Sequence, residues 1–153
     1  MDSGYSTDME MHTSEDQDLL LAIATSWDRL LGQIESGLSH IKGISFAEYR
    51  LLRAIADSPQ QRASRVDLAE RVRLSPSGVT RALQPLEKLG FVETQRGERD
   101  ARLALAALTS HGEELVRDSA AVVDDVASTI VGRSSLATAD RAALVTHLLE
   151  LSQ

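Results

Sequence analysis

Apolar residues return at three- and four-residue steps from position 19 onward, through Leu19, Leu20, Ile23, Trp27, Leu30, Leu31, Ile34 and Leu38. That step gathers side chains on one face of an α-helix and predicts a long amphipathic helix in need of a large partner surface. Ser14 and Gln17 have capping-box spacing and mark its start, and residues 1–13, which show no period, are expected to be a flexible tail. After Gly43, Ser45 and Glu48 form a second capping box, opening a helix that should turn Phe46, Tyr49, Leu52, Ile55 and Ala56 to the core before ending at Asp57-Ser58-Pro59. Ser64 and Asp67 open a shorter helix expected to bury Val66, Leu68, Ala69 and Val72.

Only Leu74 and Ser75 then separate this helix from the next. Ser75 is suited to the N-cap, Pro76 to the first helical position, where a missing N–H costs nothing, and Gly90 to the left-handed turn that closes a helix. Val79, Leu83 and Leu86 step by four and three and must face the core. Residues 91–95 and 102–108 read as two short strands joined by the turn-prone stretch Arg96-Gly97-Glu98-Arg99-Asp100. Thr109 caps a long helix with Leu115, Val116, Val122, Val123, Val126, Ile130 and Val131, and a last helix from about Thr138 carries Leu144, Leu148 and Leu151.

Two short helices joined by a tight turn and followed by a hairpin predict a mainly α protein with a small β-hairpin wing, a winged helix-turn-helix. The expected layout is a tail over 1–13, an N-terminal dimerisation helix over 14–42, a DNA-binding lobe over 43–108, and C-terminal dimerisation helices over 109–153. Dimerisation is expected because the outer helices carry more Leu, Ile and Val than so small a lobe can cover.

A net charge of −7 argues against a nucleic-acid partner until its distribution is considered. Between positions 59 and 102 nine basic residues face six acidic ones, so this stretch is positive inside an acidic chain. The absence of cysteine excludes disulfides, thiolate metal sites and cysteine nucleophiles. His12, His40, His111 and His147 are scattered, without a His-Glu-x-x-His, a phosphate-cradling glycine loop or a nucleophile motif, so neither an enzyme nor a metal site or bound cofactor is expected. No stretch reaches the roughly eighteen apolar residues of a membrane span and the start is acidic, which gives the expectation of a cytoplasmic protein.

With Val79, Leu83 and Leu86 inward, the second helix of the pair offers Ser77, Arg81, Gln84 and Lys88 on its outer side. Arg81 is the first candidate for a base contact, because its planar fork matches O6 and N7 of guanine. Thr80 joins Ser77 and Gln84 as a hydrogen-bonding candidate, Gly78 would admit a close backbone approach, and Ser64 and Ser75 complete the candidate contacts at the helix starts. Arg96, Arg99 and Arg102 flank the hairpin turn and suit phosphates or a narrow minor groove, with Asp100 placed to pair with one of them and hold the turn in shape. Pro85 lies within the helix and removes one backbone hydrogen bond. Seen alone, each of these faces is also what an ordinary solvated surface presents; their succession favours DNA.

From Ile44 to about Glu114 the chain resembles the multiple-antibiotic-resistance regulator (MarR) family of bacterial transcription factors. The resemblance lies in the run Ser45-Phe46-Ala47-Glu48-Tyr49, the stretch Leu74-Ser75-Pro76-Ser77-Gly78-Val79-Thr80-Arg81, the exit Leu86-Glu87-Lys88-Leu89-Gly90-Phe91-Val92, and Arg99-Asp100-Ala101-Arg102 leading to Leu108-Thr109. The family's wing reads Asp-Arg-Arg, so Asp100 and Arg102 match while Ala101 removes one cation. The resemblance implies a homodimer of intertwined outer helices that reads a pseudo-palindromic site on double-stranded DNA, acting as a repressor, with a small effector held between the dimer and DNA lobes. Trp27, His40, Tyr49 and Arg53, where the first two helices converge, are the candidates for a small aromatic or anionic effector, although Trp27 and Tyr49 also lie on stripes that fill a core. The alternative function is a winged-helix module that docks protein, whose mark would be a lobe without cationic surface.

Overall fold

The computed structural model describes residues 14–96 and 104–152. The tail and the candidates Arg99, Asp100 and Arg102 lie outside the described residues. The helices are α1 (Glu15–Lys42), α2 (Phe46–Ala56), α3 (Arg65–Val72), α4 (Pro76–Lys88), α5 (Ser110–Gly132) and α6 (Thr138–Glu150). The strands are β1 (Arg62–Ser64), β2 (Val92–Arg96) and β3 (Ala104–Leu108), in the antiparallel order β1-β3-β2.

The helix starts follow the caps in the sequence. Ser14, Ser45, Ser64, Ser75 and Thr109 each accept a backbone N–H from the first turn of α1, α2, α3, α4 and α5 respectively, and Glu48 returns a bond to the Ser45 N–H to complete a capping box. Each such cap satisfies donors that the helix cannot. At the far end of α4, Gly90 adopts φ +76°, its N–H bonds the Glu87 carbonyl and the Phe91 N–H bonds that of Leu86. This double closure is a Schellman motif and turns the chain directly into β2.

The core occupies the lobe built by α2, α3, α4, the sheet and the first turns of α5. Leu52, Ile55, Leu68, Val79, Leu83, Leu86 and Ala106 have no exposed surface. Ala106 and Ala107 make the central strand slim on its buried positions, and α2 and α3 both contact it. Of α1, only Leu38 is fully buried, and α6 buries none of its residues.

Two expectations are corrected. Val66 is 57% exposed: at 3.6 residues per turn it lies about 200° around the helix from Leu68, so the two cannot share the buried face. The sheet has a third strand, β1, which pairs Arg62 with Ala107 and Ser64 with Leu105. Three residues are too few to show an alternating pattern, and the pairing that makes them a strand comes from a segment more than 40 positions away.

Candidate nucleic-acid interface

Between α3 and α4 the chain turns through Arg73, whose φ of 58° and ψ of 45° put a non-glycine residue in the left-handed region. The turn starts α4 at a fixed angle to α3 and leaves Leu74 47% exposed. Val79, Leu83 and Leu86 are wholly buried, which holds α4 against the core in one rotation and one register. Ser77, Arg81, Gln84 and Lys88 are exposed as expected, and α4 runs through Pro85 to Lys88 without a break. Among the described residues, no hydrogen bond or ion pair occupies the Arg81 guanidinium.

The hydroxyls near the start of α4 are less free. Ser75 Oγ accepts the Gly78 N–H at 3.0 Å and lies 3.1 Å from Ser77 Oγ, and Thr80, half-buried, donates its hydroxyl to the Pro76 carbonyl. Gly78 serves this cap, because a Cβ there would stand 3.2 Å from Ser75 Oγ. Ser64 is occupied in the same way, accepting the Asp67 N–H and donating to Asp67 Oδ2. Arg96 is exposed at the end of β2, where it pairs with Ala104 across the hairpin.

A cluster not anticipated from the sequence ties this hairpin to the helices. Arg65, the first residue of α3, reaches Thr94 Oγ1 and the Ala104 carbonyl oxygen, and stands 3.7 Å from Glu87 Oε1. The Thr94 hydroxyl donates to that same oxygen at 2.7 Å. One signal was present: Glu87 sits in the last turn of a helix, where the backbone dipole disfavours an anion without a partner.

The effector candidates divide. Tyr49 and Arg53 line a cleft of about 410 Å³ together with Phe46, Arg50, Arg71 and Val123. The Phe46 and Tyr49 rings stack at 6.1 Å, and the Arg53 Nε–H is shared between both carboxylate oxygens of Asp57, which raises the already high pKa of Arg53. Trp27 approaches Phe46 at 6.3 Å but lines a different, apolar groove with Ile23, Leu30, Leu144 and Leu148. His40 is exposed with its Nδ1 2.7 Å from its own helix's Ser36 carbonyl oxygen, and it lines neither space. The stripe logic that grouped these four residues took helix convergence as a single site, whereas Tyr49 and Arg53 line a cleft among α2, α3 and α5, and Trp27 lines a groove between α1 and α6.

Among the described residues, no three side chains are grouped to hold a metal ion, and no helix is long and apolar enough to cross a membrane.

The chain is 34% identical over 77 residues to the HTH-type transcriptional regulator YdgJ of Bacillus subtilis, covering 50% of this chain and 46% of that one. It is 29% identical over 100 residues to the transcriptional regulator ZitR of Lactococcus lactis, covering 65% and 64%. The chain thus matches less than two thirds of the length of either curated relative. Among solved structures, the MarR family transcriptional regulator Sco3205 of Streptomyces coelicolor, in complex with DNA, superposes with a TM-score of 0.81 at 23% identity over 92% of this chain and 88% of that one. CouR of Rhodococcus jostii, bound to p-coumaroyl-CoA, gives 0.76 at 20% identity over 92% and 93%. BpsR of Bordetella bronchiseptica, whose DNA binding is regulated by 6-hydroxynicotinic acid, gives 0.74 at 20% identity over 89% and 99%. These likenesses share the winged-helix fold described above. Residues 42–103, which run from the end of α1 past the end of β2, match the model of the MarR family.

Proposed function

We propose that this chain is a transcriptional regulator that binds double-stranded DNA as a homodimer and represses from a pseudo-palindromic promoter site in response to a small effector. The observation that carries this reading is the division of α4: its apolar residues are buried, and Arg81, Gln84 and Lys88 stand exposed on the other side. A helix anchored in this way can insert its polar side into the major groove, about 12 Å wide, without disturbing the core. Arg81 supplies a bidentate fork for guanine, Ser77 and Gln84 reach base edges or phosphates, and Lys88 and Arg96 add phosphate contacts, a role that the sequence also suggests for Arg99 and Arg102. The occupied hydroxyls of Ser64, Ser75 and Thr80 keep acceptor capacity but have spent their best geometry on the helix starts, so their part in recognition is secondary.

The effector reading is supported by the chemistry of the Tyr49 and Arg53 cleft. Stacked Phe46 and Tyr49 rings offer an aromatic wall, and Arg50, Arg53 and Arg71 outnumber the single carboxylate of Asp57. An aromatic acid is the ligand class that uses both features. BpsR, which shares the fold, is regulated by such an acid, 6-hydroxynicotinic acid, and CouR binds p-coumaroyl-CoA, an aromatic acyl thioester.

The decisive experiment is selection of duplexes from a randomised pool by the purified protein, followed by titration of variants. Arg81→Ala is expected to weaken specific binding by about 1–3 kcal/mol and relax preference at one base pair. Arg96→Ala should weaken binding on all sequences and lower the salt slope by about one. Unchanged retention for both variants would overturn the assignment of this face.

A further inference from the structure

An acidic residue beside a DNA-contacting helix should oppose binding, yet Glu87 is built into the structure. It lies in the last turn of α4, where a carboxylate lowers stability unless it is paired. Glu87 Oε1 accepts the Thr94 hydroxyl at 2.7 Å and faces Arg65 at 3.7 Å. Arg65 reaches Thr94 Oγ1 and the Ala104 carbonyl oxygen as well, each at 3.4 Å. The Arg65 and Glu87 side chains retain 25% and 30% exposure, so solvent screens the pair less than it would on an open surface. Four elements meet here: the start of α3, the end of α4, the middle of β2 and the first residue of β3.

We propose that Arg65, Glu87 and Thr94 form a positioning clamp that fixes the root of the β2–β3 hairpin against α4, so that the acidic Glu87 raises the affinity for duplex DNA instead of lowering it. The inference rests on the DNA-binding reading above. In this reading a duplex is held at two places, the exposed side of α4 and Arg96 at the end of β2, and the second contact is gained at little entropic cost only if the angle between them is set beforehand. Without the clamp the outer part of β2 is held chiefly by its pairing with β3, and the phosphate contact of Arg96 is made for a smaller fraction of the time. Arg65 is thereby spent on the clamp, leaving Arg81, Lys88 and Arg96 as the cations offered to phosphate by the described part of this surface.

Charge alone and the clamp predict opposite signs for Glu87→Met. Removing a carboxylate near a polyanion should tighten binding, whereas loss of the clamp should weaken it. The test titrates the full-length protein and its variants, across a potassium chloride series, against a fluorescent duplex recovered by the wild-type protein from a randomised pool. Glu87→Met and the charge-neutral Thr94→Val are each expected to weaken binding roughly 3- to 10-fold, the range of one lost hydrogen bond, with a shallower salt slope. Thr94→Ser, which keeps the hydroxyl, should bind as wild type. In an Arg96→Ala background both effects should largely disappear, because the contact that the clamp serves is already gone. Circular dichroism melting identifies any variant that fails to fold, and if Glu87→Met does, Thr94→Val and Thr94→Ser decide the matter. Tighter or unchanged binding by Glu87→Met in a folded protein, or by Thr94→Val, would overturn the clamp, as would losses of full size in the Arg96→Ala background. A wild-type protein that retains no duplex would overturn the DNA reading itself and the clamp with it.

Discussion

A few single positions decide whether the helices can meet as they do. Gly112 is the most constrained of the described glycines: a Cβ there would lie 2.0 Å from the Phe91 carbonyl oxygen, at the point where α5 starts against the exit of α4. Thr109 binds the same strand end, donating its hydroxyl to the Gly90 carbonyl at 2.6 Å and its N–H to Phe91 at 3.1 Å. Gly112→Ala must therefore separate α5 from the hairpin root. The expected loss is about 3 kcal/mol or more in equilibrium unfolding, since the two nearest atoms, the Phe91 carbonyl oxygen and carbon, belong to the backbone. Ser119 is the opposite case. It is fully buried on α5 and its hydroxyl finds no partner among the described residues. Ser119→Ala should raise stability by about 1 kcal/mol in urea titration, because it removes an unpaired polar group and leaves almost no cavity. Neither residue is marked in the sequence. Gly112 stands in the first turn of a helix and Ser119 in mid-helix, and both owe their character to atoms brought in from elsewhere.

Among the elements, the outer helices α1 and α5 pack along one another and are also tied by an ion pair. Lys42 Nζ, at the end of α1, lies 2.8 Å from Asp118 Oδ2 on α5. The hydrogen bond and then the charge of Lys42 hold the Asp118 carboxyl below the usual carboxylate range. A group whose folded pKa is depressed contributes stability that is present above its unfolded value, near 4, and is lost as pH falls through the folded value. Asp118→Asn should therefore lower the urea midpoint slightly at pH 7, and the gap to wild type should close below about pH 4. Because the pair is exposed, the effect is small and shrinks with added salt. The helix starts were legible from Ser and Thr caps because capping is local, a matter of three residues. The clamp of Arg65, Glu87 and Thr94 was not, since it draws on three elements separated by up to 29 positions in the chain.

For the molecule as a whole, the distribution of apolar surface is the main unresolved demand of the single chain. Leu19, Leu20, Trp27, Leu144, Leu148 and Leu149 are between 42% and 60% exposed, and α1 and α6 border a groove of about 360 Å³. Exposed apolar surface on this scale fits a second copy of the chain, consistent with the proposed homodimer. Sedimentation of the wild-type protein should give a dimer, and Leu148→Asp, which sets a carboxylate in the apolar groove, should shift it to monomer while leaving the helix-turn-helix lobe folded. Such a monomer should also bind a two-half-site duplex at least about tenfold more weakly, since the linked second contact is lost. A Leu148→Asp variant that remained dimeric would place the interface elsewhere.

By itself, the sequence determined the order of the helices, the starts and stops of α2 and α4, the inward set Val79, Leu83 and Leu86, and hence the outward position of Arg81 and Lys88. These follow from periodicity and capping, which act within one or two turns of helix. Only the tertiary structure decided that β1 joins the sheet, that Trp27 and Tyr49 serve different spaces, and that Glu87 faces Arg65. Each of these depends on the angle at which one packed element crosses another. That angle is fixed by the collective fit of side chains in the core, and no short window of sequence contains it.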